Sequence, residues 1–191
     1  MKKILTLISF TVILSAQAEV FRAKFGGSKL TINGDSSVHK WKVETKVVGG
    51  FLQVDPTALT GTGKVEAKGK VIIPVRQLKS GKKRMDEVMH AAMNEKKHKL
   101  IDFTLAGLNV KSVKGGVANC TSNGSIKING KTKPLTMNIT IASKGDQLAV
   151  TGSALLKMTD FGITPPSPKL PTGNIVTKDE VNISFEWVVA K

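Results

Sequence analysis

The sequence predicts an all-β fold, an extended antiparallel barrel of about eight strands with one short connecting helix at about residues 82–95. Three observations predict it. Apolar and polar residues alternate with period two in one segment after another, which turns one face of each segment towards a core. Turn-forming pairs of glycine, asparagine and aspartate separate those segments at near-regular spacing. One stretch alone, residues 80–99, changes to the i, i+3, i+4 spacing of a helix.

Taken in order, residues 1–18 read as a secretory signal. Met1-Lys2-Lys3 is positive, an apolar run follows from Ile4 to Leu14, and Ala16-Gln17-Ala18 supplies the small residues of a cleavage site. The apolar run is shorter than the roughly 20 residues a membrane-spanning helix needs. The expected mature chain, residues 19–191, is one exported, periplasmic domain. After the turn signal Asn33-Gly34-Asp35, the residues His39, Trp41 and Val43 share one strand parity, and Phe51 follows a second signal at Gly49-Gly50. Val65, Ala67, Gly69, Val71 and Ile73 then face one way, with Lys64, Glu66, Lys68 and Lys70 facing the other.

The helix carries a stripe of Met85, Val88, Met89, Ala92 and Met93, flanked by six basic residues. A stripe of methionine and alanine lacks the Trp, Phe and Leu with which amphipathic helices grip a membrane. It suits packing on a sheet or over a barrel mouth, where methionine adapts to irregular apolar shapes. Strand parity resumes at Ile101, Phe103 and Leu105, then at Ile126 and Ile128. It continues through Leu135, Met137, Ile139 and Ile141, and from Leu148 through Val150, Gly152, Ala154 and Leu156 to Met158. Gly115-Gly116, Asn123-Gly124, Asn129-Gly130 and Gly145-Asp146 are the turn signals between these runs. Residues 164–174 hold four prolines and read as a loop strapped across a rim. Val181, Ile183, Phe185, Trp187 and Val189 form the closing strand.

The formal charge of +15 falls only by Lys2 and Lys3 when the signal is removed. Such a field favours anionic partners, among them lipid phosphates and an anionic envelope surface, and export argues against nucleic acid. Cys120, the lone cysteine, forms no internal disulfide and shares the inward parity of Ala118, Ser122 and Ile126. Chemistry has little to work with. Gly61-Thr62-Gly63-Lys64 lacks the spacing of a phosphate-binding loop and leads into a strand. Asp86 and His90 are two ligands where a metal site wants three or four, so a solvated helix face is the better reading. No catalytic residue, metal or cofactor is expected. The candidate site is instead the inward apolar set Trp41, Phe51, Phe103, Leu105, Met137, Ile139, Phe185 and Trp187, which either lines a cavity or fills a core. His39, on the inward parity of Trp41 and Val43, reads as a satisfied buried histidine or as a group at a ligand's polar end, and not as a catalyst.

Four stretches carry a resemblance to a known family: residues 34–44 with 49–51 (GDSSVHKWKVE and GGF), residues 70–90 (KVIIPVRQLKSGKKRMDEVMH), residues 124–141 (GSIKINGKTKPLTMNITI) and residues 158–163 (MTDFGI). In that order they resemble the YceI-like proteins, exported bacterial proteins with a lipocalin-like barrel. The resemblance implies a long apolar cavity and binding of an isoprenoid or other long-chain amphipathic lipid, without chemistry on it. It transfers no signature of contact residues, so the lining set rests on strand parity. The alternative is a basic envelope interaction module with a filled barrel. Oligomeric state stays open, a homodimer included.

Overall fold

The computed structural model describes residues 17–171 and 173–191. Of the expected signal, residues 1–16 lie outside the described residues. The strands are β1 (Glu19–Ala23), β2 (Lys29–Ser36), β3 (Trp41–Thr45), β4 (Gly49–Val54), β5 (Gly63–Val65), β6 (Ala67–Pro74), β7 (Leu100–Lys114), β8 (Val117–Ile128), β9 (Lys131–Lys144) and β10 (Gln147–Lys157). A two-stranded clip, β11 (Lys169–Leu170) and β12 (Gly173–Asn174), precedes the long closing strand β13 (Thr177–Ala190). The helix α1 (Lys83–Ala92) lies within the expected span.

β1 and β2 act as two halves of one bent strand, since both pair antiparallel with β13: Arg22 lies opposite Ala190, and Ile32 opposite Ile183. β3 and β4 repeat the device, β3 on β2 and β4 on β1. With each bent pair counted once, the sheet closes into an 8-strand antiparallel barrel. Closure removes the unpaired edges that an open sheet would present. Two irregularities in β7, between Leu105 and Gly107 and between Val110 and Ser112, reset the side-chain parity. Ile101, Phe103 and Leu105 face inward before the first, Leu108 and Val110 after it.

Three of the six turn signals prove to be turns. Gly115-Gly116 and Asn129-Gly130 have positive φ at both residues and Gly145 at the first of its pair, the backbone that tight hairpins require. The other three lie in strands, which corrects the sequence expectation. Gly34 is inside β2 and Gly124 inside β8, while Gly49-Gly50 opens β4. The reason is steric. A Cβ on Gly34 would lie 2.0 Å from the Trp41 ring, and one on Gly124 would lie 2.3 Å from the Thr104 carbonyl oxygen and 2.6 Å from the Phe103 ring. Gly152, predicted within a strand, follows the same rule, with Phe185 2.8 Å from its Cβ position. Each glycine leaves room for an aromatic ring from a neighbouring strand to lie against the barrel wall.

The interior divides into two zones. At the end of the β7–β8 and β9–β10 hairpins, Phe21, Val54, Val110, Ala118, Leu148 and Val189 are all at or below 2 % exposure and form a solid plug. Towards α1 the inward side chains Trp41, Phe103, Leu105, Met137, Leu156, Ile183 and Phe185 are only half-buried. Inward-facing yet half-exposed residues in a closed barrel face empty space.

Candidate functional site: an apolar cavity beneath the helix

That space is a cavity of about 700 Å³, which falls in the range of small-molecule sites. Leu52, Leu108, Ile141, Val150 and Trp187 contribute to its lining next to the plug. The indole nitrogen of Trp187 is buried without a hydrogen-bond partner among the described residues, and nothing in the structure explains it. Phe103, Leu105, Met137, Ile139 and Phe185 form the wall, and all five apolar residues of the α1 stripe face the cavity from above. No residue of α1 is fully buried, as expected of a helix laid over a void and not over packed side chains.

The lid helix is tied at both ends. Near its start the Asp86 carboxylate accepts hydrogen bonds from the Ser80 backbone N–H at 2.7 Å and from the Ser80 hydroxyl at 2.6 Å. Burial opposes ionisation of Asp86, but the Ser80 hydrogen bonds, with Lys79 and His90 alongside, outweigh it and hold the carboxyl below its ordinary range. His90 donates through Nε2 to the Leu78 carbonyl at 3.0 Å. Asp86 and His90 are thus anchors of the lid, and among the described residues no group of three His, Cys, Asp or Glu side chains is placed to hold a metal. Beyond the helix, Asn94 donates to the Asn129 side chain at 2.9 Å, and Asn129 donates to the Phe161 carbonyl at 3.0 Å. One asparagine in a hairpin turn therefore connects the lid to the 3-10 turn Met158–Phe161, whose Phe161 lines the cavity.

The proline-rich strap completes the rim. Pro166, Pro168 and Ile175 line the cavity, and the strap is bonded to the loop between β2 and β3 by Ser37 N–H to the Val176 carbonyl at 2.9 Å and Val176 N–H to the Ser37 hydroxyl at 3.0 Å. His39 lies in that loop, exposed, with Nδ1 2.9 Å from the Lys40 carbonyl, and reaches the cavity at this rim. Trp41 enters from the start of β3 and donates its indole N–H to the Asp35 carbonyl at 3.2 Å, which leaves the ring face to the cavity.

A model of the YceI-like domain matches residues 27–189. The chain belongs to the YceI-like family. Among solved structures, the YceI-like barrel is similar to Burkholderia cenocepacia BcnA, at 18% identity and a TM-score of 0.69 over 87% of this chain and 98% of that one. It is also similar to a polyisoprenoid binding domain from Saccharophagus degradans, at 11% identity and a TM-score of 0.67 over 89% and 97%. The Campylobacter jejuni YCEI protein follows at 12% identity, a TM-score of 0.58 and coverage of 100% and 93%. At such identities the likeness shows the shared fold. No curated protein matches the chain. The four stretches that carry the family resemblance meet around the covered end, in the β2–β3 segment, the β6–α1 segment, the β8–β9 hairpin and the 3-10 turn.

Of the eight residues of the expected apolar set, the structure places seven at the cavity: Trp41, Phe103, Leu105, Met137, Ile139, Phe185 and Trp187. Phe51 does not. In β4 the inward residues are Leu52 and Val54, at 4% and 0% exposure, and Phe51 sits on the outer face between Arg22 of β1 and Lys70 of β6. Gln53 shares the parity of Phe51, which was the signal for an outward position, and the aromatic character of Phe51 masked it. Sequence reasoning also missed Leu30 and Ile32 of β2 as lining residues, because Gly34 made that strand look like a turn. Cys120 points inward as its parity implies, and burial pushes its thiol pKa up, so the group stays protonated at neutral pH.

Proposed function

We propose that this YceI-like protein is an exported, periplasmic carrier that holds an isoprenoid-type or other long-chain amphipathic lipid in the cavity and performs no chemistry on it. The observation that carries this reading is the set of inward apolar side chains, Phe103, Met137 and Phe185 among them, that line open space under an apolar lid. The Saccharophagus degradans neighbour is described as polyisoprenoid binding, which supports a prenyl chain as the occupant. Burying on the order of 400 Å² of such a chain contributes about 10 kcal/mol at about 25 cal/mol per Å². After the cost of immobilising the chain, useful affinity remains. The net charge, +15 for the full sequence and two lower once Lys2 and Lys3 leave with the signal, supports an anionic envelope surface as the place where cargo is exchanged.

Native mass spectrometry of protein isolated without detergent from its own envelope tests the reading. The expected spectrum shows one lipid-sized increment per chain, released on collisional activation. A chain that carries no lipid as isolated and takes up none from prenyl-alcohol vesicles contradicts the proposal.

A further inference from the structure

The charges that touch the cavity are distributed unevenly. Lys82 and Arg84 reach it from the start of α1, Lys157 from the end of β10 and Lys169 from the strap, whereas no Asp or Glu lines it. These four cations come from three separate elements and stand at the covered end of an otherwise apolar chamber. Two of them have only long, exposed ion contacts: Arg84 to Glu87 at 3.7 Å and Lys157 to Glu180 at 4.0 Å. Surface pairs of this kind are weak and readily exchanged for a better anion. Among the described residues, no carboxylate lies within ion-pair distance of Lys82 or Lys169. Three acids of the adjoining elements are committed elsewhere: Asp86 to Ser80, Asp35 to Lys178 at 2.7 Å, and Asp179 to the Thr159 hydroxyl at 2.6 Å, whereas Asp160 of the 3-10 turn points to solvent. The basic run also opens a helix, where the macrodipole disfavours positive charge. The fold thus gathers weakly paired or unpaired cations at the covered end of the chamber, where a head group would protrude.

We infer that this rim is an anion-binding site, and that the preferred ligand joins an apolar chain to a phosphate-type head group. This rests on the proposed lipid-holding function. A phosphate monoester carries close to two negative charges and three acceptor oxygens, enough to engage cations from three elements at once. A neutral alcohol head would leave the rim without a partner, and a carboxylate would satisfy one or two of its members.

The test is competition against diphenylhexatriene, a neutral fluorescent probe of the chamber, with geranylgeranyl phosphate, geranylgeraniol and inorganic phosphate as competitors. The native protein is compared with the triple variant Lys82→Gln, Lys157→Gln, Lys169→Gln. In the native protein the phosphate ester binds at least tenfold tighter than the alcohol at low salt. That ratio declines as salt is raised and falls close to one in the triple variant, while inorganic phosphate leaves the probe in place. Equal affinities for ester and alcohol in the native protein overturn this inference alone, as does a ratio that survives in the triple variant. Displacement by inorganic phosphate would assign the rim to free ions and overturns it too. If neither prenyl compound displaces the probe, the chamber does not hold such chains, and both the inference and the proposed function fail.

Discussion

Ala154→Trp lowers the affinity of the protein for a C20 prenyl alcohol at least tenfold and leaves its stability nearly unchanged. Ala154 lines the cavity from β10, opposite Ile183 of β13, and is only half-buried because open space lies in front of it. An indole there projects into the void instead of into packed side chains, so the usual penalty for overpacking a core, about 1–3 kcal/mol, largely does not arise. The same ring occupies volume the chain needs. Excluding two methylenes from burial removes about 1.6 kcal/mol at about 0.8 kcal/mol each, already more than a factor of ten in affinity. Ala154→Met, smaller and flexible, gives an intermediate loss. Fluorescence titration with each variant, with melting curves alongside, checks both halves. Undiminished affinity in the Trp variant places the chain elsewhere, whereas a large fall in melting temperature means that the interior at this point is packed.

The largest effect on stability belongs to Gly50→Ala, at about 3–5 kcal/mol. A Cβ at this position would lie 1.8 Å from the carbonyl oxygen and 2.8 Å from the carbonyl carbon of Lys70, both backbone atoms of the paired strand β6. No rotamer change relieves a clash with backbone. Gly50 also has φ of +122°, which side-chain-bearing residues rarely adopt. The substitution must therefore open the β4–β6 ladder or twist it, and the melting temperature drops by on the order of ten degrees. Gly61→Ala is the matched control: its backbone is extended and nothing lies within 4 Å of its Cβ position, so it stays within about 0.5 kcal/mol. Urea denaturation of the two variants separates a steric requirement at Gly50 from a general cost of replacing glycine.

Period-two alternation is a local signal, and it carried most of the barrel because the strands β6 to β10 and β13 each bury one face. The lid was legible for the same reason, with Met85, Val88, Met89, Ala92 and Met93 all facing the cavity. Glycine was the ambiguous residue. Asn33-Gly34 and Asn123-Gly124 look identical to Asn129-Gly130 in sequence, yet the first two make room for Trp41 and Phe103, and only the third turns the chain. Which role a glycine takes depends on a ring contributed by another strand, and sequence spacing does not encode that contact. β1 and β2 were hard to see because the first is short and the second contains Gly34. Whether the inward faces meet depends on the distance across the barrel, a global property. The answer divides along the axis: Val54, Val110 and Val189 pack in the plug, whereas Phe103, Met137 and Phe185 border the chamber. The filled barrel of the alternative reading thus describes one end of the molecule and not the other. The cationic rim was equally hidden, since Lys82, Lys157 and Lys169 are brought to one opening only by the closure of the sheet.

The central claim is that the covered half of the barrel is hollow and apolar, and a crystal structure of the lipid-stripped protein under xenon pressure tests it most directly. Dry apolar cavities take up xenon. The account predicts xenon atoms in the chamber bordered by Phe103, Met137 and Phe185, with Phe103 and Phe185 held against the wall over Gly124 and Gly152. A structure with no xenon in the barrel, in which Trp41, Met137 and Phe185 close on one another across its axis, would contradict it.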